Sequence, residues 1–168
     1  RRYEYWKQIQ FELAVISCEN LEFEECINYR IYERQIHQFL ADYETKAYLI
    51  PFNSDSGFYM SWTWWGNDVD IVSVEDYRNY LSRMRELPIV MDEYITLMRE
   101  GLRTGMTQPR VILDGREVPI RKQLVENPER SSFYQPFLNL NKNITAESKE
   151  KLQEEARVVV MEGVVPAY

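Results

Sequence analysis

The stretch Leu87–Arg110, LPIVMDEYITLMREGLRTGMTQPR, decides the fold class. Its apolar residues recur at helical spacing, while polar residues fall on the opposite side. That apolar stripe consists of Met91, Tyr94, Ile95, Met98 and Leu102. Gly101 and Gly105 lie beside it, which suits close approach by another backbone, and Gly105 followed by Pro109 indicates a helix end and a new start. We therefore predict a helix with one buried face and no catalytic set.

Length and composition predict a single helical domain over residues 1–168, because 168 residues with 45% hydrophobic content can bury one sizeable core. The formal charge of -7, with acidic residues between the basic ones, argues against nucleic acid as a partner. No apolar run reaches the roughly 18 residues that span a bilayer, and the start does not resemble a signal peptide. Arg1 opens directly into an amphipathic pattern, so we expect a fragment of a larger protein.

Three helices are predicted before the opening stretch. The first covers about residues 2–16, and the second, about residues 23–47, is expected to be the longest. The third covers about residues 74–86, because the segment beginning at Ser73 resembles a capping box. Pro88 disfavours a helical residue before it, so the chain should break or kink there.

Helical patterns continue towards the C-terminus. Residues 111–113 look helical, Asp114–Gly115 interrupts them, and Pro119 restarts a helix; a hairpin about Asp114–Gly115 is the alternative. Thr145 caps a last helix with the stripe Leu152, Ala156, Val159, Val160 and Gly163. The prediction is thus an all-α bundle of five or six helices with two long ordered loops.

The two predicted loops are rich in aromatic residues. One spans residues 51–66 and holds a cluster without a clear helical period, and the other spans residues 127–141 and should dock on the helices. The first loop either plugs a core, which is favoured because large rings mostly bury for area, or lines a cleft. An alternating strand is a minor alternative. In the cleft interpretation the substrate-binding residues are Tyr59, Trp62, Trp64 and Trp65.

The two cysteines are predicted to be small buried thiols. If Cys18 and Cys26 shared one helix they would lie about 12 Å apart, too far for a disulfide. A bridge requires the turn around Glu19 to Glu22 to fold back.

No catalytic residue, metal ligand or cofactor is predicted in this chain. His37 is the only histidine, and Glu33 shares its helix face. A zinc site needs about three protein ligands, so His37 is interpreted as a surface or packed residue. Phosphate loops, dinucleotide fingerprints and serine nucleophile elbows are absent from the sequence.

Separated segments resemble one family when taken together. They are Leu87-Pro88 leading to Arg99-Glu100-Gly101, then Gly105 to Arg110, Asn127-Pro128 with Ser132 to Phe137, and Val164 to Tyr168. In this order and spacing they resemble the bacterial family named domain of unknown function 885. The resemblance implies a large, mainly helical protein related to zinc metallopeptidases and often secreted or lipid-anchored. The family's zinc motif, a His-Glu pair followed by Pro-Gly-His, lies downstream of the matched region and is missing here.

Two functions follow from these expectations. In the first, the chain is the non-catalytic helical part of a zinc-peptidase-like protein and forms one wall of its substrate cleft. Its partners would then be the remainder of the parent polypeptide, where zinc would bind, and a peptide substrate. In the second, it is a self-standing helical protein-interaction module without enzymatic activity.

Overall fold

The computed structural model describes residues 1–68 and 70–168, without the side chains of residues 67 and 68. It confirms the all-α class: 73% of the chain is helical, and the described residues form no strand beyond an isolated bridge between Phe52 and Gly57. Two compact units are present, an N-terminal unit of Arg1–Ile50 and a C-terminal unit of Pro51–Tyr168. The single domain remains a prediction. Within the same ranges, no helix has the length and apolar character to cross a membrane.

The N-terminal unit is a helical hairpin. It consists of α1 (Arg2–Leu13), a 3-10 turn (Cys18–Asn20), α2 (Phe23–Glu44) and a second 3-10 turn (Ala47–Leu49). The Glu25 carboxylate accepts a hydrogen bond from the Glu22 N–H at 3.2 Å, which satisfies a free donor at the start of α2. Both helices end about three residues before their predicted ends. The unit's buried apolar side chains are Ile36, Leu40 and Leu49.

A disulfide joins Cys18 and Cys26, so the prediction of two free thiols is wrong. The two cysteines do not share a helix, because Cys18 lies in the 3-10 turn and Cys26 in the first turn of α2. The chain folds back between them and brings their Cα atoms to 5.1 Å, within the normal range for a bridge.

The C-terminal unit combines two long helices with several short ones. Its α-helices are α3 (Phe58–Ser61), α4 (Trp65–Asp68), α5 (Val74–Thr104), α6 (Arg110–Leu113), α7 (Glu117–Arg121), α8 (Gln135–Leu138), α9 (Ala146–Val159) and α10 (Val165–Ala167). Short 3-10 turns cover Trp62–Trp64, Pro128–Arg130 and Ser132–Tyr134, and a π-helical segment covers Val160–Val164. The two predicted loops therefore contain short helices, and the hairpin about Asp114–Gly115 does not form.

Helix α5 organises the unit and runs without a break through Pro88. Two predictions are thereby wrong: the helix that starts at Val74 does not end near residue 86, and α5, with 31 residues against 22 for α2, is the longest of the described helices. Proline removes one backbone donor. Burial of Met84, Leu87 and Met91 around it offsets that cost, since fully burying such side chains contributes about 1.5–3 kcal/mol each.

The ends of α5 follow the predicted signals. Ser73 and Asp76 form a capping box, and Gly105 ends the helix in the left-handed conformation with φ of 76°. The predicted stripe is only partly buried: Met91 lies in the core, whereas Leu102 is 75% exposed. Burial is concentrated in the first half of α5, so helical periodicity alone misplaced the stripe's last residue.

The core of the C-terminal unit lies where α5 packs against α9 and the π-helical segment. Thr145 caps α9 as predicted, accepting from the Ser148 N–H at 3.3 Å. The segment Ser132–Leu138 docks on this core and contributes fully buried rings. The most deeply buried apolar side chains are Leu81, Met84, Phe133, Phe137, Ala156, Val160 and Val164.

Candidate functional site

The candidate site begins at a tight turn that directly precedes α3. The Asn53 side-chain carbonyl accepts hydrogen bonds from the N–H groups of Asp55 and Ser56, at 2.8 and 2.7 Å. The turn closes with the bridge between Phe52 and Gly57. The Gln108 amide donates to the Phe52 carbonyl at 2.7 Å, which ties this turn to the segment after α5. The turn that precedes the aromatic residues is therefore anchored to a second segment of the unit.

Two glycines allow close packing around these aromatic residues. A Cβ on Gly57 would lie 2.7 Å from Cε1 of Tyr59 and 2.9 Å from Cβ of Phe52. A Cβ on Gly66 would lie 2.7 Å from Cγ of Pro136. Real Cβ atoms do not approach this closely, so the packing at both positions requires glycine.

Tyr59 is 5% exposed and belongs to the core of the C-terminal unit. Its carbonyl accepts a hydrogen bond from the Tyr168 hydroxyl at 2.6 Å, and burial raises the pKa of Tyr168. The Tyr59 hydroxyl is itself buried and has no hydrogen-bond partner among the described residues. Of the four predicted binding residues, Tyr59 thus lies deepest.

Four rings form an aromatic cluster, defined here as Phe58, Trp62, Trp65 and Tyr94. Phe58 and Tyr94 stack with centroids 4.3 Å apart and planes at 15°. The ring centroid of Trp62 lies 5.9 Å from that of Tyr94 and 6.2 Å from that of Trp65. Aromatic pairs in this distance range attract beyond their burial alone. Each of the four residues is partly buried, and Phe58, Trp62 and Trp65 pack against the core of the C-terminal unit.

Trp64 differs from its neighbours because it is 59% exposed. The 3-10 turn Trp62–Trp64 explains this: Trp62 turns towards Tyr94, and the ring two positions later turns to solvent. The structure therefore brings Trp62 and Trp65 together, buries Tyr59 in the core and leaves Trp64 exposed.

Two members of the cluster, Phe58 and Tyr94, were not predicted from the sequence. Phe58 precedes the predicted binding residues directly, so its proximity in sequence was an available signal. Tyr94 was assigned to the buried stripe of α5, and its helical spacing carried no sign that its ring would stack on Phe58.

The cluster offers flat apolar surface and no acid–base pair. Among residues 1–68 and 70–168, no three His, Cys, Asp or Glu side chains come together in a way that could hold a metal ion. His37 lies on the exposed surface of α2, as predicted, with its Nδ1 atom 3.3 Å from the Gln10 amide nitrogen. The arrangement can therefore bind a ligand through contacts with the aromatic rings.

Among known proteins, the chain is similar to one protein family. A protein-family model described as "Bacterial protein of unknown function (DUF885)" matches residues 1–168. No curated protein and no solved structure matches the chain.

Proposed function

The chain belongs to the DUF885 family of bacterial proteins of unknown function, and on that premise we propose that it is the non-catalytic helical portion of a zinc-metallopeptidase-like protein. In this role it forms one wall of the substrate cleft. The remainder of the parent polypeptide and an extended peptide substrate are its partners.

The aromatic cluster is the observation that carries this proposal. Its rings are fixed by stacking and by the core beneath, while part of their surface remains exposed beside the largely exposed Trp64. Rigid flat rings bind extended chains at low entropic cost, because few side-chain rotations are lost. A wall of this kind contributes binding and orientation rather than a reacting group.

Zinc enters no step proposed for this chain. The described residues offer no suitable set of metal ligands, and the family's zinc motif is missing from the sequence. The parent's remaining residues would hold the ion and supply the metal-bound water for hydrolysis.

The test uses the complete parent polypeptide with fluorogenic casein as the substrate. Trp64→Ala and Trp65→Ala should raise KM about tenfold, since one aromatic contact of about 1.4 kcal/mol corresponds to that factor. The melting temperature should change little for Trp64→Ala. Leu102→Ala, which removes an apolar side chain that is 75% exposed on α5, serves as the control and should leave KM unchanged.

The opposite pattern would assign the rings to the core. Large losses of melting temperature in both tryptophan variants, with an unchanged KM in the surviving folded protein, would exclude the cleft wall. Failure of the intact parent to hydrolyse casein or to bind zinc would exclude the peptidase-like role itself.

A protein-interaction module is the second candidate, and a different observation favours it. Phe11, Val15 and Phe23 of the N-terminal unit are among its most exposed side chains despite being apolar. Large exposed apolar patches are typical of surfaces that bind a protein, and these three side chains would contribute to such a patch. The complete reading frame discriminates the two: a downstream His-Glu motif supports the peptidase-like role, and an immediate stop codon supports the module.

The disulfide supports an exported protein. Structural disulfides persist in the periplasm and outside the cell but are rare in the reducing cytosol. A location in the periplasm, or at the bacterial cell surface, therefore agrees with both candidate functions.

A further inference from the structure

The N-terminal unit contains an aromatic cleft of about 540 Å³ between α1 and α2. This volume lies within the range of about 300–1,000 Å³ that is typical of small-molecule sites. Five aromatic side chains line it: Tyr3, Trp6, Phe39, Tyr43 and Tyr48. The cleft is separate from the aromatic cluster and has no role in the function proposed above.

The rings of the cleft are held in two stacks. Tyr43 stacks on Tyr3 with centroids 4.3 Å apart and on Tyr48 at 5.3 Å, while Trp6 stacks on Phe39 at 4.8 Å. The Tyr3 hydroxyl donates to Glu44 at 2.9 Å, which fixes one end of the first stack. The rings keep accessible surface, since Tyr48 is 41% exposed. The cleft can thus add one more flat ring to an ordered stack.

Opposite charges stand on the two walls of this cleft. Arg1 and Arg2 line it from the α1 side, and Asp42 lines it from α2. Within the described part of the chain, none of these three side chains forms an ion pair. A guanidinium suits a ligand carboxylate, and a carboxylate suits a ligand ammonium group.

We propose that this cleft binds a zwitterionic aromatic amino acid. The ligand ring joins the stacked side chains, its carboxylate pairs with Arg2, and its ammonium group pairs with Asp42. A polyanion is disfavoured by Asp42, and a simple cation is disfavoured by the two arginines. The pairing of both charges with a ring is what selects this ligand class.

The test compares three ligands that share one side chain, namely L-phenylalanine, N-acetyl-L-phenylalanine and L-phenylalaninamide. Titration calorimetry with the whole chain should give the lowest Kd for L-phenylalanine. The acetylated and amidated forms, which lack the ammonium group and the carboxylate respectively, should each bind about tenfold more weakly, as expected for the loss of one charge-assisted hydrogen bond.

Variants assign each charge to its partner. In Arg2→Gln the difference between L-phenylalanine and its amide should disappear, and in Asp42→Asn the difference from the acetylated form should disappear. Tyr48→Ala should weaken binding of all three ligands about tenfold. Tyr5→Ala and Arg30→Gln change exposed residues outside the cleft and should leave every Kd within about twofold, the scatter expected for surface substitutions.

Two results would overturn the proposal. Absence of measurable binding at millimolar L-phenylalanine, with helix content intact by circular dichroism, would exclude the site. Equal affinity for all three ligands would show that the cleft binds the aromatic ring and does not distinguish the charged groups of the ligand. Neither result bears on the cleft wall proposed for the C-terminal unit, whose test measures hydrolysis of casein.

Discussion

Gly57 shows how a single missing side chain allows the C-terminal unit to pack. Gly57→Ala should destabilise the protein by about 1–3 kcal/mol, because the added methyl would overlap the Tyr59 ring and Phe52. Urea denaturation followed by circular dichroism measures the change. Gly163→Ala is the matched control, because a Cβ there would meet only Cγ of Pro88 at 4.0 Å. Equal losses in both variants would contradict the close packing described at Gly57.

Buried tyrosine hydroxyls predict a loss of stability at high pH. Tyr80 donates to the Phe133 carbonyl at 3.3 Å, and burial raises the pKa of Tyr80 above its ordinary value. The protonated hydroxyl is therefore favoured in the folded state. Its contribution is complete below the unfolded-state pKa of about 10 and is lost as the pH rises above that value.

The measurement is the urea midpoint between pH 7 and 11. The midpoint should stay level to about pH 9 and fall above pH 10, and Tyr80→Phe should reduce the fall because it removes one ionisable group. Tyr5→Phe, at an exposed position, should leave the fall unchanged. A midpoint that falls equally in both variants would show that Tyr80 does not control it.

Residues that act through local geometry could be predicted from the sequence. Ser73, Gly105 and Thr145 were assigned as helix ends, and each acts on backbone groups within a few residues of itself. Tyr94 was not assigned to the aromatic cluster, because its partner Phe58 is distant in sequence and only the tertiary fold brings the rings together.

At the scale of the element, α5 depends on its N-terminal cap. The Ser73 hydroxyl accepts from the Asp76 N–H at 3.1 Å and donates to the Asp76 carboxylate at 2.7 Å. Ser73→Ala should destabilise the protein by about 1 kcal/mol at pH 7, measured by urea denaturation. Ser82→Ala, at an exposed position inside α5, should be close to neutral.

The cap should also respond to acid. Hydrogen bonds from the Ser73 hydroxyl, and then from the backbone N–H groups of Ser73 and Val72, lower the pKa of Asp76. A lowered pKa stabilises the fold above the unfolded-state value of about 4, and this contribution is lost as the pH falls through the folded-state value. The difference between wild type and Ser73→Ala should therefore shrink below pH 4, and a constant difference would contradict the assignment.

Two errors in predicting the elements have the same physical origin. A helix was expected to end near residue 86, just before Pro88, and Cys18 and Cys26 were expected to remain apart. Both expectations weighed local preference alone. In the fold, burial beside Pro88 outweighs one lost hydrogen bond, and the turn after α1 brings the cysteines together.

At the scale of the whole molecule, the two units should differ in stability. The N-terminal unit buries few apolar side chains and is closed by the disulfide, whereas the C-terminal unit has an extensive core. Cross-linking a loop this short contributes about 2–3 kcal/mol. Reduction with dithiothreitol should therefore lower the melting temperature of the N-terminal unit and leave that of the C-terminal unit largely unchanged.

Calorimetry measures this as two transitions of which only the first shifts on reduction. Cys18→Ser with Cys26→Ser should reproduce the shift without reductant and show no further response to it. One cooperative transition that moves as a whole would contradict independent units. The sequence predicted the all-α class because helical periodicity runs through most of the chain. It also predicted a loop that starts at residue 51, but not that the chain divides into two compact units there.

The contact between Tyr168 and Tyr59 joins residues 109 positions apart and has a kinetic consequence. Backbone amides exchange with solvent only when their segment opens. Because the Tyr168 hydroxyl is bonded to the Tyr59 carbonyl, α10 and α3 hold each other closed, and α3 with four residues is too short to persist alone. Deuterium should therefore exchange into the backbone amides of both segments at a common rate. Tyr168→Phe should accelerate this exchange in α3.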